Sequence, residues 1–239
     1  MNKLTLGVLL CDSVDPERLH IDGDYPAIFT NLFRDHSPDG IEVSLRFYDV
    51  TTGQYPDQLH ECDGYLTNGA SASVYDVDPW IAKFANFVRQ LHAEQVNLFA
   101  ICFGHQMIAH AFGGRVEQSE RGWGVGVHEI TLTNHEPWMI PAAASFKIVC
   151  SHQDQVTKLP AGAKVLASTS HCPVSLFRYG ALVGIQGHPE FSIAYGRALM
   201  ESRAEVIPIE TRNTASESFA LKPDHTLLVL WILHYLAPS

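Results

Sequence analysis

The chain has 239 residues, with 16 lysines plus arginines against 26 aspartates plus glutamates, a formal charge of −10. Apolar residues make up 46% of it and charged residues 18%, the composition of a soluble globular protein with enough chain for a large core. The acidic balance argues against a non-specific nucleic-acid binder, which needs a basic stripe, and against a peripheral protein of an anionic membrane.

The most apolar run, Leu227–Leu233, is far shorter than the roughly 18 residues of a membrane span. The N-terminal segment MNKLTLGVLLCDSVDPE has one lysine and no small-residue cleavage site, so it reads as a first strand and not a signal peptide. The five cysteines, Cys11, Cys62, Cys102, Cys150 and Cys172, are odd in number, widely spaced and free of any CxxC pair. They suggest neither a disulfide framework nor a zinc site, and a reducing cytoplasmic setting is expected.

In chain order, Leu4–Leu10 is a buried strand by its continuous apolar run. Pro26–Phe33 is a helix with proline near its start. Ile41–Tyr48 alternates with period two and Gly64–Thr67 is a short strand. From Asp78 to Gln95 the spacing of Ile81, Phe84, Val88 and Leu91 predicts a helix with one apolar face. Asp78 is its candidate cap and Pro79 its first residue. Asn97–Ile101 is a fully apolar strand, and Phe103–Phe112 a helix stopped by Gly113-Gly114. This β-α-β-α order predicts a mostly parallel sheet covered on both faces. Short strands follow at Val125–Leu132, Ser145–Cys150, Lys164–Ser168, Val174–Phe177 and Ala181–Gln186, some of them antiparallel additions at one edge. The polar stretch Glu210–Leu221 reads as a surface loop, and Asp224–Leu236 as a capped helix that packs back on the sheet. No break in composition marks a boundary, so one domain over residues 1–239 is expected.

Three segments carry chemistry. In Asn97–Gln106 an apolar strand ends at Cys102 and a glycine-containing helix begins, the strand–turn–helix setting of a nucleophile elbow. Such a turn lifts the sulfur to the carboxyl ends of the strands, above a helix N-terminus whose partial charge favours a thiolate. A lone cysteine after an apolar run is more often core filler. The second segment, however, ends another strand in His188-Pro189-Glu190: a histidine placed to serve a thiol as base, and a carboxylate placed to orient its ring. In the third, Gly64–Thr67 runs into Asn68-Gly69-Ala70. A backbone N–H at Gly69, with that of Phe103, would make a two-donor oxyanion hole.

Together these segments resemble the class I glutamine amidotransferase family. The family's G-x-C-x-G-x-Q elbow stands here as Ala100-Ile101-Cys102-Phe103-Gly104-His105-Gln106, its H-P-E as His188-Pro189-Glu190, and its S-H-x-D-x-V segment as Ser151–Val156. The resemblance covers most of Leu4 to about Ser192. It departs at Ala100, where glycine is common, and at Thr67-Asn68-Gly69-Ala70, where many members carry S-G-G-P.

The resemblance implies a flavodoxin-like α/β three-layer sandwich. It implies a γ-glutamyl thioester formed on Cys102, His188 as base and acid oriented by Glu190, and oxyanion donors at Gly69 and Phe103. Gln106, Ser151 and His152 would hold the glutamyl group. No cofactor and no metal is called for. There is no HExxH, His105 and His110 are five apart, and RGWGVGV is not a dinucleotide fingerprint. Three functions fit. One is a glutamine amidotransferase-type enzyme feeding ammonia to a partner synthase, since no synthase half follows the motifs in this chain. Another is a hydrolase of γ-glutamyl peptides or conjugates; SASVYD after Gly69 looks more like the stand-alone γ-glutamyl peptidases. The third, a non-catalytic module, sits poorly with an intact Cys–His–Glu set.

Overall fold

The computed structural model describes residues 2–237. Strand β1 (Asn2–Leu10) is followed by a short helix α1 (Leu19–Asp22) and by α2 (Tyr25–His36). Next come β2 (Ile41–Asp49), β3 (Gly64–Thr67), α3 (Pro79–Ala93), β4 (Leu98–Ile101) and α4 (Phe103–Ala111). Seven strands follow: β5 (Arg115–Gln118), β6 (Gly124–Leu132), β7 (Ser145–His152), β8 (Asp154–Lys158), β9 (Lys164–Ser168), β10 (Leu176–Tyr179) and β11 (Leu182–Ile185). Helices α5 (Ile193–Ser202), α6 (Ile209–Ser218) and α7 (His225–Leu236) close the chain.

Nine strands form one sheet in the order β2-β1-β3-β4-β11-β10-β9-β6-β7, and β5 and β8 pair separately. The half from β2 to β11 is parallel. From β10 to β7 every pairing is antiparallel. The parallel strands read as unbroken apolar runs because both faces are covered: α2, α5 and α7 share one core with the sheet, and α3 and α4 share the other. The layered α/β architecture expected from the element order is therefore present.

Local chemistry explains most elements. Asp24 caps α2 by accepting from the Ala27 N–H at 3.0 Å, and Ile28, Phe29, Leu32 and Phe33 form its buried side. The predicted face of α3 is buried as Ile81, Phe84, Val88 and Leu91. Helix α7 is buried nearly all round, as expected of a helix apolar on every side.

The structure corrects four readings. Asp78 makes no side-chain cap on α3. Asp224 does not cap α7 either. Its carboxylate instead accepts from the Lys147 N–H at 2.7 Å, and its own N–H donates to the Lys147 carbonyl at 2.9 Å, covering the exposed edge of β7. The polar segment read as a loop contains α6. Only Ala215 of that helix is buried, so no apolar periodicity announces it. The helix is fixed by tertiary contact: Ser218 Oγ accepts from the Val127 N–H at 2.9 Å, and the helix lies so close to Gly126 that a methyl there would stand 3.0 Å from the Ala215 backbone. Finally, the strand expected over Ala181–Gln186 stops at Ile185, which leaves Gln186 outside the ladder. Strands β5 and β8 and helix α5 gave no sequence signal strong enough to be singled out.

Candidate active site

The carboxyl ends of β1, β3, β4 and β11 converge on one crevice, where parallel α/β sheets bind ligands. Between β4 and α4 the chain turns at Cys102, which has φ 48° and ψ −97°. Apart from Gln95 it is the only non-glycine residue with positive φ among those described. An L-residue held in so rare a conformation is strained, and such strain persists only where the surroundings over-determine it. Here they do. The Cys102 N–H donates to the Ile185 carbonyl at 2.8 Å and its carbonyl accepts from the Gln106 N–H at 3.0 Å. Thr67 Oγ1 accepts from the Ile101 N–H at 2.9 Å, which ties the end of β3 to the residue before the turn. Gly104 lies so close to Thr67 that any side chain would collide with it. The close approach of Thr67 thus gives the glycine at position 104 a specific cause.

Gly69 lies against this turn. A methyl on its Cα would stand 2.7 Å from His188 Cε1 and 3.2 Å from Cys102 Cβ. Its neighbour Asn68 is fully buried and pins the turn to the end of β1, accepting from the Cys11 N–H at 2.6 Å and donating to the Asp12 carbonyl at 3.2 Å. Phe103 opens α4, with its side chain packed against Trp80 and Phe84. The first N–H groups of a helix have no partner within it, so the Phe103 N–H is available as a donor.

His188 follows β11 and is anchored by its N–H to the Val149 carbonyl at 2.8 Å. Its Nδ1 lies 2.9 Å from Glu190 Oε1, with both side chains almost wholly buried. The Phe191 ring stacks flat on the imidazole, centroid to centroid 4.0 Å. Nε2, the nitrogen not used by Glu190, is buried without a hydrogen-bond partner. Burial opposes the charged ring, but Glu190 and Cys102 outweigh it and push His188 up to about 10. His152 goes the other way: burial, then His128, His171 and His188, hold it well below the usual histidine range. Burial brings His105 down to about 4. Of these three histidines, His188 alone is set up to hold a proton beside the cysteine, a divergence typical of acid–base sites.

The structure therefore brings Cys102, His188, Glu190 and Gly69 together. It also places Gln106, Ser151 and His152 on one concavity of about 310 Å³, which Cys102 borders. Gln106 is tied into the wall of that hollow, donating to the Asp154 carbonyl at 2.9 Å and to Gln186 Oε1 at 3.2 Å. Ser151 Oγ accepts from Arg203 Nη1 at 2.9 Å, and the Arg203 guanidinium lies over Trp123 at 5.6 Å. Asp154 accepts from Ser73 Oγ at 2.6 Å and from the Tyr75 hydroxyl at 3.0 Å, fastening the segment after Gly69 over this hollow. Adjoining it, and sharing Cys102, Ser151 and Arg203 with it, is a larger hollow of about 570 Å³ that Arg18, Tyr25 and Tyr195 also line.

Sequence reasoning missed several of these residues, Gln186 and Arg203 among them. Gln186 Nε2 donates to Cys102 Sγ at 3.5 Å; its place two residues before His188 was the available signal. Arg203 follows α5, a helix that was not predicted, and nothing in its neighbourhood marked it.

With this geometry in hand, comparison with known proteins decides the family. The family model for glutamine amidotransferase class-I matches residues 24–221. The chain belongs to the class I glutamine amidotransferase family. Gamma-glutamyl peptidase 3 of Arabidopsis thaliana is 30% identical over 199 residues, 80% of this chain and 77% of that protein. Gamma-glutamyl peptidase 5 of the same plant is 33% identical over 180 residues, 71% and 69% of the two chains. A glutamine-hydrolyzing GMP synthase component from Archaeoglobus fulgidus is 29% identical over 170 residues, 70% and 84%. A crystal structure of a glutamine amidotransferase from Thermotoga maritima superposes with a TM-score of 0.74 over 99% of both chains at 17% identity, which speaks to the fold. Among the described residues no helix is long and apolar enough to cross a membrane.

Proposed function

We propose that this protein hydrolyses γ-glutamyl amide bonds, with Cys102 as nucleophile, and that its preferred substrates are γ-glutamyl peptides or conjugates. The observation that carries this reading is that Cys102 borders two adjoining hollows of one crevice, which share Ala70, Ser71, Ser151 and Arg203 as lining. One is polar and of a size for the glutamyl group. The other, about 570 Å³, is far larger than departing ammonia requires, since one molecule of water occupies about 30 Å³ in the liquid.

In the proposed reaction the thiol proton rests on His188, and Cys102 Sγ attacks the γ-carbonyl carbon as the thiolate. The oxyanion is met by the N–H groups of Gly69 and Phe103. The C–N bond then breaks, His188 returns the proton to the departing amine, and a γ-glutamyl thioester remains on Cys102. Water, deprotonated by His188, attacks the thioester; glutamate leaves and the thiol is restored. Glu190 fixes the ring and stabilises the imidazolium. Gln106, Ser151 and His152 line the glutamyl side, and Arg203 beside Ser151 offers a cation to the α-carboxylate.

Hydrolysis of L-glutamine with ammonia passed to a partner synthase is the second reading, favoured by the resemblance to the GMP synthase component. Glutamate release from L-glutamine and from γ-glutamyl dipeptides, measured in parallel for the wild type and Cys102→Ala, separates the two. A dipeptide cleaved at least ~10-fold faster in kcat/KM, with the variant inactive on both, is the expected result. A preference for glutamine turns the assignment to the second reading, and activity retained by Cys102→Ala removes the thioester mechanism.

A further inference from the structure

Arg18 has no place in the chemistry above, yet it lines the larger cavity together with Cys102. It ends a 3-10 turn, Pro16–Arg18, just beyond β1. The turn is fixed: the Asp15 side chain accepts from the Glu17 N–H at 2.9 Å, and the Arg18 N–H donates to the Asp15 carbonyl at 2.8 Å. The guanidinium itself is poorly satisfied. Its side chain is 17% exposed, and its one ion pair is a 3.4 Å approach of Nη2 to the Asp15 carboxylate, which is itself 44% exposed. Its Nε is buried with no hydrogen-bond partner. Tyr195, which is buried, stands beside it with its hydroxyl in hydrogen-bonding reach of the guanidinium. A guanidinium presents its donors in a planar fork that matches a carboxylate, and a buried donor without an acceptor is costly unless a ligand supplies one.

The cavity's other arginine, Arg203, also borders the smaller hollow and already has partners of its own. Arg203 is bonded to Ser151 and lies over Trp123, and Trp123 borders the smaller, glutamyl-side hollow. Arg18 borders the larger one and not the smaller. Three acidic residues also reach the larger cavity, Asp12, Asp15 and Glu17. Asp12 is engaged by the N–H groups of Ser13 and Ser71, Asp15 by the turn it caps, and Glu17 is exposed to solvent.

We propose that Arg18 recognises a carboxylate carried by the departing amine, so that the substrates are γ-glutamyl compounds whose leaving part is an amino acid or short peptide with a free C-terminus. This rests on the γ-glutamyl hydrolase reading above. Arg18 is a specificity residue: it contacts the leaving part of the substrate and takes no part in bond making or breaking.

The test pairs each acid with its amide: γ-glutamyl-alanine against γ-glutamyl-alaninamide, and γ-glutamyl-alanyl-glycine against its C-terminal amide. Wild type, Arg18→Leu and Arg18→Lys are compared through the acid-to-amide ratio of kcat/KM. We expect a ratio of about 10 to 100 in the wild type for at least one pair, as for a charge-assisted contact. It falls to near one in Arg18→Leu and is partly kept in Arg18→Lys. A wild-type ratio near one, or a ratio unchanged in Arg18→Leu, overturns the assignment of Arg18 and leaves the γ-glutamyl reading standing. A wild type that hydrolyses L-glutamine but neither member of either pair overturns both. The same ratio read as Kd in Cys102→Ala decides the matter for a slow enzyme, and the wild-type ratio together with Arg18→Lys decides it if Arg18→Leu does not fold.

Discussion

The backbone of Gly69 lies close against the imidazole of His188: a methyl on its Cα would stand 2.7 Å from Cε1, well inside van der Waals contact, and 3.5 Å from Cys102 Sγ. The loop after β3 and the loop after β11 therefore share one wall, with the sulfur between them. Gly69 does not adopt a left-handed φ, so it is the space and not the dihedral that requires glycine here.

Gly69→Ala should accordingly disable the site with little effect on the fold. The added methyl forces either His188 or the Gly69 N–H out of place, and loss of one oxyanion donor alone costs on the order of 10²–10³ in rate. We expect kcat for the γ-glutamyl substrate to fall by at least ~100-fold while the melting temperature stays within a few degrees. A variant with near wild-type kcat shows that the Gly69 loop does not meet the developing oxyanion.

The proton on His188 should depend on its two neighbours. Burial lowers its affinity, and Glu190 and Cys102 raise it to about 10. Removing either partner, by Glu190→Gln or Cys102→Ala, should bring the titration followed by the imidazole NMR resonances down toward or below the ordinary histidine value of about 6.5. The sign for stability follows from linkage. The folded state holds this proton more tightly than the unfolded chain, so its contribution is complete below about 6.5 and is lost as pH rises toward about 10. The wild-type advantage over Glu190→Gln in unfolding free energy should therefore shrink across that window. An advantage that stays flat throughout it means that Glu190 does not act through the charge of His188.

Thr67 gives a prediction for the framework. It is fully buried, and its hydroxyl satisfies the Ile101 N–H just before the strained turn. Thr67→Val keeps the volume but leaves that N–H unpaired. We expect a loss of about 1–3 kcal/mol, seen as a fall of roughly 2–12 °C in Tm for a chain of this size. An unchanged Tm shows that the hydroxyl is dispensable to the end of β4.

Elements whose signals are local could be read from the residues, together with the order of the motifs. Strands β1 and β4 are legible because a strand covered on both faces must be apolar throughout, and α3 because one face repeats every three to four residues. Cys102, His188 and Glu190 are legible because each follows an apolar strand, and strand ends are where this architecture gathers its chemistry. Long-range placement is another matter. Helix α6 is polar and exists because Gly126 and Ser218 let it dock on β6. Asp78 and Asp224 look like helix caps, but a carboxylate goes to whichever unpaired N–H the folded chain brings nearest, and for Asp224 that is the edge of β7. Gln186 reaches Cys102 Sγ only because β11 lies beside β4, 84 residues away in sequence. The two cavities, and the arginines that face them, are formed by loops from separate strands and by α5. Their chemistry depends on distances between segments that no local pattern encodes, so it took the packed fold to bring each one to the crevice at Cys102.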